Sequence, residues 1–206
     1  MSKTITYDGS DIFYKEATEW HDEIKVIVPS THCAILIKNG VMLNTLDSGT
    51  YILEAEKKSL FKRRSEPSLV EIVFAVKTAR LKIEWGTKYL LNTRDCVTGE
   101  LLKIGLGGEM ELAIGNPRKA FWELAVTSSL TLTELRDRLV GRIVGEIEPV
   151  LTSVMRESNI SYDRLAEYKH QVSGRLLPIF DRMLMRDYGL RALSFGILRT
   201  IVEDRG

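Results

Sequence analysis

Few side chains in this sequence are of the types that perform catalysis or bind metals. The three histidines are His21, His32 and His170, and none has a cysteine or carboxylate at ligand spacing on a shared helical face. His32 precedes Cys33, and neighbouring residues of a strand point to opposite faces. Cys96 could act as a nucleophile if His170 approached it, but lone cysteines in apolar strands usually belong to the core. The sequence therefore predicts no catalytic residue, metal site or cofactor.

A glycine cluster at Gly105, Gly107 and Gly108 is of the kind that can surround a phosphate. The cluster lacks the Lys-Ser/Thr pair of a P-loop and the third glycine of a dinucleotide fingerprint. A strand pattern also follows it, where a phosphate-binding loop would start a helix. We therefore expect a hairpin turn at these glycines.

The charges nearly cancel, with 29 basic and 28 acidic residues, so no overall field favours nucleic acid. Cations are concentrated in the loop-like residues 54–67, where they flank two apolar side chains. Such a segment can touch lipid headgroups with an apolar tip beside them, although a solvated loop is the simpler alternative. The residues expected to contact lipid are Leu60, Phe61, Lys62, Arg63 and Arg64.

A chain of 206 residues with 44% hydrophobic content can bury one good core. We expect a single domain over residues 24–202, after a polar lead over residues 1–23 that is weakly structured at residues 11–20. The lead does not resemble a signal peptide, and no apolar run approaches the roughly 18 residues that cross a bilayer. Two cysteines do not suggest a secreted disulfide framework. The sequence predicts a cytoplasmic protein with at most peripheral contact to the inner membrane face.

Period-two patterns predict an antiparallel meander in the first half of the chain. Residues 24–28, 33–37, 41–46 and 50–53 form its strands, and Asn39-Gly40 supplies a type I′ hairpin turn. Further strands are expected at residues 69–76, 81–85, 89–91, 101–106 and 109–114. The fold class is therefore α+β, because helical patterns follow in the second half.

Helical periodicity begins at Asn116-Pro117, an N-cap followed by proline at the first helical position. Thr131 and Glu134 form a capping box before a long amphipathic helix. Another helix starts at Ser161 and ends at Tyr188-Gly189. A final strand follows, in which Leu193, Phe195, Ile197 and Ile201 are expected to share one face.

The last helix is apolar on two sides, so it must contact two things. Leu177, Phe180 and Leu184 form its second apolar stripe. The sheet and the preceding helix could cover these residues, or a neighbouring subunit could. We name them as candidate self-association residues.

In element order and in several short segments, the chain resembles the SPFH or band 7 family of stomatin, prohibitin and flotillin, and specifically its bacterial branch of virion-core-like proteins. The resemblance covers residues 24–201. The segments concerned are Asn39-Gly40, Gly49-Thr50-Tyr51, Trp85-Gly86-Thr87, Asp95-Cys96, residues 111–117 and Tyr188-Gly189-Leu190. The resemblance implies an α+β domain that self-assembles and scaffolds membranes without catalysis. Many members also have a membrane-inserting segment, a coiled coil or a zinc ribbon, and none is visible here.

Two functions remain open. The first is a membrane-associated scaffold that forms homo-oligomers through the helical face of residues 131–188. The second is a soluble adaptor that binds one protein or peptide partner, of unknown identity, along an unpaired edge of the meander. An enzyme ranks third, because no acid, base and nucleophile converge in the sequence.

Overall fold

The computed structural model describes residues 3–20, 23–54 and 68–204, with the backbone alone for Asp204. The fold is α+β, with mainly antiparallel sheets in the first half and helices followed by a final strand in the second, as the sequence predicts. The exception among the described residues is the parallel pairing of Lys3–Thr6 with Ile24–Val28. The described residues up to Ala79, with Pro117–Thr131, form one compact unit. Arg80–Asn116 and the chain from Leu132 onward form a second. Two compact units can belong to one domain, so the single domain over residues 24–202 stays a prediction.

The described residues form twelve strands and three α-helices. The strands are β1 (Lys3–Thr6), β2 (Phe13–Trp20), β3 (Ile24–Val28), β4 (His32–Lys38), β5 (Val41–Leu46), β6 (Gly49–Leu53), β7 (Ser68–Val76), β8 (Leu81–Gly86), β9 (Leu91–Arg94), β10 (Leu101–Ile114), β11 (Ser129–Leu130) and β12 (Leu190–Asp204). The helices are α1 (Pro117–Glu123), α2 (Leu132–Ser158) and α3 (Leu165–Tyr188), and a single 3-10 turn covers Tyr162–Arg164.

Two packed sheets build the first unit. One has the order β1-β3-β6 and the other the order β11-β2-β7-β4-β5. Their facing side chains, among them Val26, Leu36 and Phe74, are almost fully buried in one cluster. The predicted meander is wrong in its connections, because β6 pairs with β3 and β4 lies between β5 and β7. Dividing the strands between two layers buries both apolar faces, which one sheet could not do.

The predicted weakly structured stretch over residues 11–20 is wrong. Phe13–Trp20 forms β2, which pairs with β7 along its whole length. Phe13 anchors the strand in the core. Lys15 forms a 2.7 Å ion pair with Glu71 of β7. This cross-strand pair gives the charged side chain of Lys15 a partner within the sheet. Because the strand contains many polar residues, it has no apolar periodicity from which it could be predicted.

A four-stranded antiparallel sheet and two helices build the second unit. The sheet order is β12-β10-β8, and β9 pairs with the other end of β10. Helix α2 packs on β8, and α3 packs on β12. In the core, the ring of Phe195 stacks between Phe180 at 4.7 Å and Trp85 at 5.0 Å. The Trp85 indole is therefore buried in this core.

The expected hairpin turn at the glycine cluster is wrong, because Gly105, Gly107 and Gly108 all lie inside the continuous strand β10. A Cβ added to Gly108 would collide with the carbonyl oxygen of Gly196 in β12. The two backbones approach closely here because the ladder between β10 and β12 shifts register between Gly107 and Gly108. These glycines serve strand packing rather than a turn.

The register also corrects the predicted faces of β12. Leu193 and Leu198 have no partner in β10, so each is an extra residue that resets the alternation. Phe195 and Ile197 point into the core as expected, but Leu193 is 42% exposed and Ile201 is 55% exposed. The alternation of side chains along β12 is therefore interrupted at each of the two bulges.

Helix α3 ends at Tyr188, and Gly189 has a left-handed φ of 69°, as the sequence predicts. Phe180 and Leu184 are fully buried, so neither can meet a partner from the folded surface. These two candidate self-association residues are therefore corrected to core residues, because their stripe packs within its own unit. Leu177 is half-buried.

Candidate interaction surfaces

The two described histidines lie in different environments. His32 is buried in β4, where its Nδ1 lies 2.8 Å from the hydroxyl of Thr31, and burial lowers the pKa of its imidazole. His170 is exposed on α3, and His21 lies outside the described residues. Within the described part of the chain, no three histidine, cysteine or carboxylate side chains are grouped as metal ligands.

Both cysteine thiols are structural donors. Cys33 lies in β4 and donates to the carbonyl of Ala75 at 3.7 Å. Cys96 donates to the carbonyl of Ile160 at 3.4 Å, and it lies in a turn after β9 rather than in the strand that the sequence suggests. Burial raises the pKa of both thiols, and the charge of Asp95 raises that of Cys96 further. The reactive thiolate is disfavoured at each position.

The pKa of the Asp95 carboxyl group is strongly lowered, although the residue is only 2% exposed. Its Oδ1 accepts the backbone N–H groups of Val97 at 2.7 Å and Thr98 at 2.8 Å. Its Oδ2 accepts the hydroxyl of Ser161 and the N–H of Tyr162, both at 2.7 Å. Burial would raise the pKa, but these four donors outweigh it and lower the pKa to about 2.

The hydrogen bonds of Asp95 give it a structural role, because they connect two separate turns. It closes the turn after β9 and also receives the first N–H of the 3-10 turn that follows α2. Since both oxygens are occupied by donors, the carboxylate is poorly placed to act on a substrate. Sequence reasoning noted Asp95 only as part of a family resemblance. The signal it missed is the Asp95-Cys96-Val97-Thr98 segment, which is typical of an aspartate turn.

The first unit has an open groove beside α1, with a volume of about 490 Å³. Phe121, Trp122 and Val126 line one side, and the Lys15–Glu71 ion pair lies in the lining as well. Trp122 is 68% exposed, which is unusual for the largest apolar side chain. Nearby in the fold, β5 is a sheet edge that exposes Val41 and Leu43.

The predicted helical face of the second unit contains a furrow between α2 and α3, with a volume of about 600 Å³. Val150, Ile179 and Met183 form its half-buried apolar lining. Charged residues border it, and among them Arg142 forms a 3.0 Å ion pair with Glu146. The furrow therefore combines apolar side chains with charged ones.

The last part of β12 exposes several apolar side chains in the second unit. This strand lies at the edge of its sheet, so one side of its backbone has no strand partner among the described residues. Leu198 is 54% exposed and Ile201 55% exposed, and Val202 is exposed too. An uncovered strand edge that exposes apolar side chains indicates an interaction surface.

Helix α3 covers only the first part of that edge. Asp181 accepts the backbone N–H of Ala192 at 3.0 Å, and Ser173 accepts the N–H of Ile197 at 3.1 Å. The hydrogen bond from Arg191 lowers the pKa of Asp181, so the acceptor is charged. Beyond Ile197, the described residues contain no side-chain acceptor for a β12 N–H group. We call residues 198–204 the open edge.

The predicted lipid-contact residues Leu60, Phe61, Lys62, Arg63 and Arg64 lie outside the described residues. None of the described helices combines the length and the hydrophobicity that a bilayer crossing requires. No protein-family model matches the chain, and no curated protein matches it in sequence. The resemblance to the SPFH family therefore stays a prediction.

Proposed function

We propose that this chain is a non-catalytic scaffold domain that associates with copies of itself at a membrane, in the manner of the SPFH family it resembles. The observation that supports self-association best is the open edge, where Leu198, Ile201 and Val202 expose apolar surface beside unpaired backbone. A non-catalytic role is supported by Asp95 and the two thiols, which are all engaged in structural hydrogen bonds.

Self-association belongs to the sheet edge rather than to the helical face. Phe180 and Leu184 are fully buried in the core, and charged side chains border the furrow between α2 and α3. A sheet edge gains backbone hydrogen bonds as well as apolar contacts when a strand is added to it. The open edge offers both contributions at once.

We expect the apparent mass to rise above 23.4 kDa as the protein concentration is raised from micromolar to near-millimolar. Replacing Ile201 by lysine should weaken the association about tenfold or more, because each new charge must be buried at the contact. Sedimentation velocity over the concentration range measures both effects.

Leu193→Lys is the matched control for that experiment. Leu193 is an exposed leucine of the same strand, but it lies in the part that α3 covers. Its replacement should leave the association within about twofold of the unmodified chain. A chain that remains monomeric at every concentration would contradict the proposed self-association.

We propose that the basic segment at residues 57–64 makes the membrane contact. Replacing Lys62, Arg63 and Arg64 by glutamate should lower binding to phosphatidylserine vesicles by about a hundredfold, since each cation near an anionic surface contributes about 1 kcal/mol. Co-sedimentation with vesicles measures the bound fraction.

The control variant replaces Lys25, Lys88 and Arg182, three exposed cations outside the loop, by glutamate. It has the same net charge as the loop variant, so it separates a local contact from a general electrostatic effect. Equal binding by the two variants would exclude the loop as the lipid contact.

The adaptor function stays an alternative prediction. It is favoured by Trp122, whose exposed ring lines an apolar groove. In the same unit, the edge strand β5 exposes Val41 and Leu43. Against it, the carbonyl of Met42 in β5 already accepts a hydrogen bond from Arg118. The β5 edge is therefore less open to an added strand than residues 198–204 of β12.

A further inference from the structure

We propose that two copies of this chain pair through their open edges as antiparallel strands, with a two-fold axis at Ile201. This inference rests on the proposed self-association and specifies its surface and register. In this pairing Ile201 meets its own counterpart, Thr200 lies opposite Val202, and Arg199 lies opposite Glu203. Residues 198–204 of each copy take part, and the four-stranded sheet continues from one copy into the other.

Charge complementarity selects this register. Arg199 and Glu203 are both exposed, and neither forms an ion pair with any of the described residues. The axis at Ile201 brings each arginine opposite the glutamate of the other copy, so two cross-strand ion pairs form by symmetry. Both charges keep access to water at the rim, so little desolvation opposes the contact.

Other registers leave the charges unmatched. A parallel pairing in register would place Arg199 opposite Arg199, and like charges directly opposite each other are destabilising. An antiparallel pairing with its axis at Thr200 would place Arg199 opposite Ile201. The exposed isoleucine would then face a cation instead of an apolar partner.

The neighbouring strand explains why Ile201 is available. After the bulge at Leu198, Arg199 pairs with Gly107 and Ile201 with Gly105. Because neither glycine has a side chain, β10 itself covers little of Ile201, and Leu90 and a cavity of about 380 Å³ adjoin Ile201 on that side. A second copy adds on the other side of β12, so its Ile201 side chain can pack against the flank of Ile201 that faces away from β10.

The acceptors on α3 limit the pairing to the same segment. Asp181 and Ser173 occupy the N–H groups of Ala192 and Ile197, so a strand added there would have to displace them. An added strand can extend along residues 198–204 without displacing any described hydrogen bond of α3. The contact is consequently small, and we expect a weak, concentration-dependent dimer.

Charge reversal tests the register in the full chain. Arg199→Glu alone and Glu203→Arg alone should each raise the dimer dissociation constant about tenfold, because two ion pairs are lost and like charges face each other. The double variant with both changes should return to within about twofold of the unmodified chain. Sedimentation equilibrium measures the dissociation constants, and circular dichroism checks that each variant is folded.

A second variant makes the test independent of charge. Ile201→Cys should form an intermolecular disulfide under mild oxidation, since residues on the axis bring their Cα atoms within disulfide range. Leu193→Cys, on the covered part of the strand, should not. If the chain self-associates but neither charge variant weakens it and Ile201→Cys stays reduced, the register is wrong while the proposed function stands. A monomeric unmodified chain would overturn both.

Discussion

Asp95→Asn is expected to lower the free energy of unfolding by about 3 kcal/mol at neutral pH. The carboxylate is almost fully buried and accepts hydrogen bonds from Val97, Thr98, Ser161 and Tyr162. An amide retains one acceptor oxygen and presents an N–H₂ group to the remaining donors, so buried donors lose their partners. Urea denaturation monitored by circular dichroism measures the change.

Asp163→Asn is the control for the Asp95 variant. Asp163 is exposed in the adjacent 3-10 turn, so its replacement should change the free energy of unfolding by less than about 0.5 kcal/mol. Similar losses in both variants would mean that the turn, and not the buried carboxylate, is the stabilising feature.

The contribution of Asp95 should depend on pH with a defined sign. Its folded pKa of about 2 is lower than the value of about 3.9 in an unfolded chain, so the unfolded state binds the proton more readily. The stabilisation is complete above about pH 4 and is lost as the pH falls through about 2. The difference in stability between the unmodified chain and Asp95→Asn should therefore shrink by about 2 kcal/mol over that range. A constant difference would contradict the assignment.

Gly108→Ala is expected to lower the free energy of unfolding by about 3 kcal/mol. The added methyl group would collide with the Gly196 carbonyl oxygen and would lie 2.9 Å from Cζ2 of Trp85. Both obstacles are rigid, because one is backbone and the other is a ring stacked on Phe195. Only movement of β10 away from β12 can relieve the collision.

Gly107→Ala provides the matched comparison one residue away in the same strand. Its nearest neighbour would be the Trp85 carbonyl oxygen at 3.6 Å, an ordinary contact. We expect a change between zero and a gain of about 1 kcal/mol, because alanine restricts the unfolded chain more than glycine does. Equal losses in the two alanine variants would show that strand flexibility, rather than close approach to β12, requires the glycine.

Local chemistry in the sequence predicts most of the elements. Asn39 and Gly40 both have positive φ at the β4–β5 hairpin, and α1 begins at Pro117 as its N-cap pattern indicates. Gly189 ends α3 in the left-handed conformation. These features depend on a few neighbouring residues, so a single sequence is sufficient to find them.

Contacts between distant segments are what the sequence could not predict. Strand β2 depends on β7 for its partner, and the two bulges in β12 depend on its register with β10. The burial of Phe180 depends on Phe195 fifteen residues later, across a helix end. The four donors around Asp95 likewise come from two separate turns. Periodicity within one segment contains none of this information.

The open edge was also hidden in the sequence. Its apolar residues resemble those of an ordinary core strand, and only the sheet order places β12 at an edge. The extra residue Leu198 then decides which side chains are exposed after it. A bulge has no reliable signature in a single sequence, so the face of Ile201 could not be assigned before the register was known.

The placement of β12 beside β10 affects how the protein is made. Ile114 pairs with Leu190, so the middle strand of this sheet leaves the ribosome long before the strand that will flank it. During that interval the nascent chain presents a fourteen-residue strand with one side unsatisfied. The second unit must therefore mature late in synthesis, and molecular chaperones that shield extended apolar segments would be needed most in that interval.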